Sequence, residues 1–208
     1  AAAARPTSAT FSVCIDPGHP SEVAAGDVVL NGLQEVNVCW EVAQLLKANL
    51  ESRGIRVVMT KNQERQRVTN KERAEIANRA EVDFLVRLHT ESVGTTGFAV
   101  YYPRKEGVAK DGHRGPSAAV LAATKPAAER FHAALAKALE GKLANVGLRG
   151  DEQTAIGRRQ GALTGSIYSQ VPAVVVEMVV LSNKSDAEWI AKPENKAVMA
   201  EALAQGVL

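Results

Sequence analysis

The order of apolar and polar residues near the start of the chain predicts a buried strand followed by a helix. Residues 11–16 form a short apolar run that ends at Pro17 and Gly18, a pattern typical of a strand leading into a turn. Residues 34–53 carry apolar side chains at spacings of three and four, and Gly54 supplies a stop just past the helix end. The repeat is carried by Cys39, Val42, Leu46 and Leu50.

The same two patterns alternate through the rest of the chain. Strands are predicted at 55–60, 83–88, 98–102 and 172–180, and helices at 70–80, 126–143, just after the capping residue Asn183, and 193–207. Such alternation predicts the α/β class, with one domain built on a mainly parallel twisted sheet and helices on both faces. The domain is expected to span 11–208 after an N-terminal tail, 1–10. Residues 104–125, rich in Gly, Lys and Pro, are predicted to form a flexible rim over a substrate groove.

Composition narrows the classes of protein to consider. The net charge is +2 and is spread along the chain, so it favours neither a nucleic-acid partner nor a membrane surface. No uninterrupted apolar stretch reaches the length of a spanning helix, and no membrane insertion is expected. The first ten residues lack a signal-peptide pattern, so either none exists or it was removed before this numbering begins. A monomer is expected.

The two cysteines, Cys14 and Cys39, are too few for a disulfide scaffold. Two buried thiols, or one disulfide joining them in an oxidising compartment, both remain open on the sequence.

Three residues predict a metal site at one edge of the sheet. Glu35 lies on the apolar stripe of its helix, where a charge needs a cation, a metal or strong donors; a solvated first-turn glutamate is the alternative. His19 follows the turn after the first strand, and His89 follows the strand 83–88, at the edge where open α/β sheets place ligands. Two histidines and one glutamate leave the fourth position of a zinc ion open for water.

Glu177 is a carboxylate in the middle of the strongly apolar strand 172–180. One interpretation is a general base and acid beside a metal-bound water. The other is a structural ion pair, for which Arg87 is suitably placed by strand alternation.

Five segments together resemble the zinc-dependent N-acetylmuramoyl-L-alanine amidases with a type-3 catalytic domain. They are Val13 to His19, the helix that starts at Gln34-Glu35 and runs into 54–60, Arg73 with Ala77-Asn78, Leu88-His89, and Pro172 to Glu177 with Leu181-Ser182-Asn183. Their order and spacing agree with the family over nearly the whole chain.

The resemblance implies that His19, Glu35 and His89 bind one Zn²⁺ ion and that Glu177 is the catalytic glutamate. It implies a peptidoglycan or muropeptide substrate, cut at the amide between N-acetylmuramic acid and the L-alanine of the stem peptide. A periplasmic or extracellular cell-wall location follows from the same resemblance. A zinc peptidase that cuts elsewhere in the stem peptide and an inactive wall-binding domain are the alternatives.

The chain departs from the family pattern beside the third ligand. Arg87 stands where serine is common, and Thr90-Glu91 where Ala-Asn is common. Arg87 and Glu91 are expected either to pair with each other or to bind charged groups of the stem peptide. Arg73 is the third residue expected to bind substrate.

Overall fold

The computed structural model describes residues 10–23 and 26–208. The tail expected over 1–10 lies outside the described residues, apart from residue 10. The strands are β1 (Ser12–Pro17), β2 (Val29–Leu30), β3 (Leu33–Gln34), β4 (Arg56–Met59), β5 (Phe84–Glu91), β6 (Phe98–Tyr102), β7 (Gly107–Val108), β8 (Arg114–Gly115), β9 (Asn145–Gly150) and β10 (Ala173–Val180). The helices are α1 (Glu35–Glu51), α2 (Asn70–Arg79), α3 (Ala118–Ala138), α4 (Ala155–Gln160), α5 (Thr164–Tyr168), α6 (Lys184–Ala191) and α7 (Pro193–Val207).

The central sheet has six strands in the order β4-β1-β5-β10-β6-β9. The first four strands of this order are parallel to one another, whereas β6 is antiparallel to β10 and parallel to β9. The predicted α/β class and mainly parallel sheet are therefore confirmed. Because β1, β5 and β10 are adjacent and parallel, their carboxyl ends meet at one edge of the sheet.

Apolar side chains cover both faces of the sheet. On one face, residues such as Ile15 and Val176 pack against α1, α3 and α7 in the larger core. On the other face, Leu85 and Ala173 pack near Ala77 of α2. Burial of both faces explains why the central strands are continuous apolar runs and do not alternate with polar residues.

The cysteines belong to different cores. Cys14 of β1 lies in the α2-side cluster, and Cys39 of α1 lies in the larger core on the opposite face of the sheet. Both thiols are free and fully buried. The two-thiol alternative is therefore the one that the structure contains.

The region from residue 104 to 171 differs most from the sequence-based prediction. The predicted loop contains the two-stranded hairpin β7–β8. Helix α3 begins at Ala118 and is capped by Ser117, so Pro126 lies inside the helix and is not its first residue. Strand β9 and helices α4 and α5 were not predicted. No helix in the described part of the chain is long and apolar enough to cross a membrane.

Candidate active site

Three side chains from three elements converge at the carboxyl edge of the sheet. Glu35 is the first residue of α1, His19 lies two residues after β1, and His89 lies within β5, which extends farther than the predicted 83–88. Glu35 Oε2 is 3.4 Å from His19 Nε2, and Glu35 Oε1 is 2.9 Å from His89 Nδ1. The two imidazole rings meet edge-on with their centroids 5.3 Å apart.

The protein keeps Glu35 and His19 in the protonation states that metal ligands need. Burial raises the pKa of Glu35, but the hydrogen bond and charge of His89, the charge of His19 and the Thr90 N–H together hold that pKa below its usual range. Burial and the charge of His89 lower the pKa of His19 to about 4. At neutral pH the site therefore offers a carboxylate and a neutral imidazole.

The donor atoms fit a tetrahedral zinc ion. Bonds of about 2.0–2.1 Å would place two ligand atoms of such an ion about 3.4 Å apart. One ligand atom from each of His19, Glu35 and His89 can be chosen so that all three lie within 4.8 Å of one another. Among the described residues, this is the one group of histidine, cysteine and acidic side chains close enough to hold a metal ion.

Small residues and a buried lysine shape the loop that carries His19. A Cβ on Gly18 would lie 2.7 Å from the His89 ring, so only glycine lets this loop approach β5. Gly18 N–H donates to the Leu88 carbonyl at 2.8 Å. His19 adopts a left-handed backbone conformation with φ of 51°, and the buried Lys61 ammonium donates to its carbonyl. These contacts hold His19 in one position without touching its imidazole nitrogens.

Glu177 faces the site from the neighbouring strand. It pairs with His89 in the parallel β5–β10 register, and an irregularity between Glu177 and Val180 shifts the pairing just beyond it. Its Oε2 atom is buried and has no hydrogen-bond partner among the described residues. Burial, together with the negative charges of Glu35 and Glu91, raises the pKa of Glu177 well above its usual range. A buried carboxyl with an unused oxygen beside a metal-type site is suited to accept and deliver a proton.

The alternative pairing of Glu177 with Arg87 is not formed. The Nε of Arg87 donates to Asp16 Oδ2 at 2.7 Å, and another of its nitrogens donates to Asn70 Oδ1. Arg87 does not pair with Glu91 either, because the Glu91 carboxylate accepts from the backbone N–H groups of Ser92 and Val93.

The expected substrate role of Arg73 and Arg87 stays a prediction, and the structure shows what the two guanidinium groups contact. Their exposed fractions are 1% and 3%, and both guanidinium groups bind the fully buried Asp16. Arg73 also donates to the Pro17 and Pro20 carbonyls that flank His19. Through these contacts both guanidinium groups support the floor of the site. Glu91 is partly exposed and lines the cleft beside Glu177, so its expected role stays a prediction.

Asp16 is the important residue that the sequence-based reasoning missed. It lies in a buried strand, directly after Ile15, and is 0% exposed. Two arginines and the Thr60 hydroxyl, at 2.5 Å, hold its pKa well below the usual range despite burial. The signal that singled out Glu177, a charge inside an apolar strand, was also present at Asp16.

A family comparison agrees with this geometry. The family model described as N-acetylmuramoyl-L-alanine amidase matches residues 13–208. The chain belongs to this amidase family. No curated protein sequence matched the chain.

Solved structures of amidases share the fold. The amidase AmiC2 of Nostoc punctiforme is 25% identical, with a TM-score of 0.74 over 95% of this chain and 94% of that chain. The apo form of the amidase Ami1 from Mycobacterium abscessus is 23% identical, with a TM-score of 0.75 over 95% and 96%. The catalytic domain of the amidase CwlV from Paenibacillus polymyxa is 21% identical, with a TM-score of 0.74 over 95% and 96%.

Proposed function

We propose that this amidase uses one Zn²⁺ ion, held by His19, Glu35 and His89, to hydrolyse the amide between N-acetylmuramic acid and the L-alanine of the stem peptide. The observation that carries the proposal is the pairing of Glu177, with its unused buried oxygen, beside a His/Glu/His donor set. The substrate is peptidoglycan or a muropeptide. We further propose that the protein acts as a monomer in the periplasm or at the extracellular cell wall.

Each residue has a distinct task in this reaction. A zinc ion held by His19, Glu35 and His89 would supply Lewis acidity to the amide carbonyl and would lower the pKa of water. Glu177 takes the proton of the attacking water at Oε2 and delivers it to the departing alanine nitrogen. Its raised pKa favours the form that carries this proton. Thr90 N–H, 3.1 Å from Glu35 Oε1, holds the ligand carboxylate in place.

A Glu177→Gln variant tests the proposal. We expect it to keep one zinc ion per chain, because Glu177 is not in the donor set, and to lose hydrolysis by roughly 100-fold or more because proton transfer is removed. Glu188→Gln on α6, whose side chain is 65% exposed, is the matched control and should keep full activity. Zinc is measured by elemental analysis, and hydrolysis by mass spectrometry of muropeptide digests.

The digest also separates the alternatives. Amidase activity releases free alanine N-termini without new sugar reducing ends. Cuts at other stem-peptide bonds would identify a zinc peptidase instead. A wild-type protein that binds zinc and wall fragments but cleaves no muropeptide would contradict the proposal and indicate a wall-binding domain.

A further inference from the structure

A cleft of about 290 Å³ extends from Glu177 across β10, β6 and β9. Its inner end carries the carboxylates of Glu177 and Glu91, and the loop that follows β5 forms one wall. Tyr101 of β6 lines it farther out, and Arg149 of β9 lines the far end. Arg149 is the one cationic residue among the described residues that line this cleft.

Arg149 has no carboxylate partner within the described part of the chain. It is half-buried and lies near the hydroxyl of Tyr101, a neutral group, whose pKa is raised by burial although the positive charge of Arg149 favours a lower value. The more deeply buried Arg73 and Arg87 both bind a carboxylate directly. A partly desolvated guanidinium without a counter-charge attracts an anion, and its planar fork matches a carboxylate.

Strand register places Arg149 at a useful distance from the reaction. Glu177 pairs with Ala99, Tyr101 pairs with Arg149, and all four side chains lie on one face of the sheet by period-two alternation. Arg149 lies two strands away from Glu177, across β6, and two residues farther along the strand direction. These two offsets place the Glu177 and Arg149 Cα atoms about 12 Å apart. Both side chains line the same cleft, so one short extended peptide can contact both charged groups.

The cleft is therefore acidic where the new amine would form and basic farther out. The leaving peptide of an amidase reaction has the matching polarity, with its nitrogen at the reacting end. A peptide whose carboxylate follows close after the alanine would complement both ends.

Resting on the proposed function, we propose that Arg149 binds a free carboxylate on the residue that follows the alanine. The stem peptide then lies over β6 and β9. This contact makes the enzyme selective for stem peptides in which that carboxylate is free and not amidated.

Two synthetic substrates test the contact. They are N-acetylmuramoyl-L-alanyl-D-glutamate and the same compound with both glutamate carboxyls converted to amides. We expect wild-type kcat/KM to favour the acid roughly 10- to 100-fold, the range for a charge-assisted hydrogen-bond pair, mainly through KM. Arg149→Gln should abolish the preference, Arg149→Lys should restore part of it, and Tyr101→Phe should keep it.

Arg130→Gln is the matched control, because Arg130 is exposed on α3 at the opposite edge of the sheet. It should leave both substrates unchanged. Equal rates for the two substrates in the wild type, or an unchanged preference in Arg149→Gln, would overturn the proposal while leaving the amidase function intact.

Binding of the product peptides decides the matter independently of turnover. Calorimetric titration of the Glu177→Gln protein with L-alanyl-D-glutamate and its diamide should show tighter binding of the acid, by a similar factor, and lose that difference when Arg149 is also changed to Gln. Equal binding of the two peptides refutes the subsite even if the wild type proves inactive.

Discussion

Replacing Asp16 by asparagine should cost far more stability than replacing the carboxylate of a surface ion pair. Asp16 is 0% exposed and accepts from Arg73 at 2.5 Å and Arg87 at 2.7 Å. Asparagine keeps one oxygen but removes the charge, which leaves two buried guanidinium groups uncompensated. Breaking a buried pair in this way costs about 3–5 kcal/mol.

The matched control is Glu201→Gln. Both carboxylate oxygens of Glu201 accept from one Arg53 nitrogen, Nη2, at 2.8 and 2.9 Å, yet both side chains are more than a third exposed. Solvent screening limits such a pair to about 1 kcal/mol or less. The comparison therefore contrasts a buried carboxylate ion pair with an exposed one.

Urea unfolding followed by circular dichroism gives the measurement. With a slope of about 2–3 kcal/mol per molar, Asp16→Asn should lower the midpoint by about 1–2.5 M, and Glu201→Gln by less than about 0.5 M. Similar losses for the two variants would refute the assignment of Asp16 as the buried counter-charge of the site.

Acid titration adds a second check with a defined sign. Because the pKa of Asp16 is lowered in the folded protein, its contribution to stability is fully present above the unfolded value of about 3.9 and is lost as pH falls towards the folded value. The stability difference between wild type and Asp16→Asn should therefore shrink below about pH 4. A difference that stayed constant down to pH 2 would contradict this linkage.

Three further predictions follow from the packing. Gly18→Ala should weaken zinc affinity at least 10-fold in a competition assay with a chelator, because the added Cβ would lie 2.7 Å from the His89 ring. The control Gly94→Ala should keep its zinc affinity, because the added Cβ meets its first contact only at 3.4 Å, and equal affinities of the two variants would contradict this prediction. Cys14 and Cys39 should resist a thiol reagent in the folded protein and should both react after unfolding. Burial excludes the reagent and raises the pKa of both thiols, so rapid labelling of the native protein would disprove this prediction. Thr69→Ala should lower the free energy of unfolding in urea by about 0.5–2 kcal/mol, because it breaks the capping box with Glu72. Thr69→Ser keeps the hydroxyl and should lower it little, and equal effects of the two variants would rule out the hydroxyl as the cause.

Local patterns in the sequence were sufficient for elements whose signals lie within a few residues of one another. The helix 193–207 begins at Pro193 as predicted, because proline suits the first helical turn. Asn183 caps α6 by accepting from the Asp186 N–H at 3.1 Å, which is a contact between near neighbours. The side chain of Glu35 lies on the packed face of α1 and is only 12% exposed, as helical periodicity indicated.

The same reasoning failed where the deciding contact was distant or ambiguous. Pro126 was read as a helix start, but Ser117 caps α3 earlier and proline is accommodated inside the helix. Strand β9 carries Gly147 in a left-handed conformation, and its short, mixed sequence became a strand only through pairing with β6. Pairing energy between strands is not visible in either strand alone.

The sequence by itself showed two carboxylates on surfaces that must be buried, Glu35 and Glu177. It also showed two histidines just past strand ends, His19 and His89, and so it predicted all four as site residues. Only the tertiary structure decided how those charges are partnered. The β1–β5 register placed Asp16 beside Arg87, and the packing of α2 added Arg73. Both arginines bind Asp16, and Glu177 Oε2 has no partner among the described residues. The physical reason is that a buried charge requires a counter-charge, but strand register selects which residue supplies it.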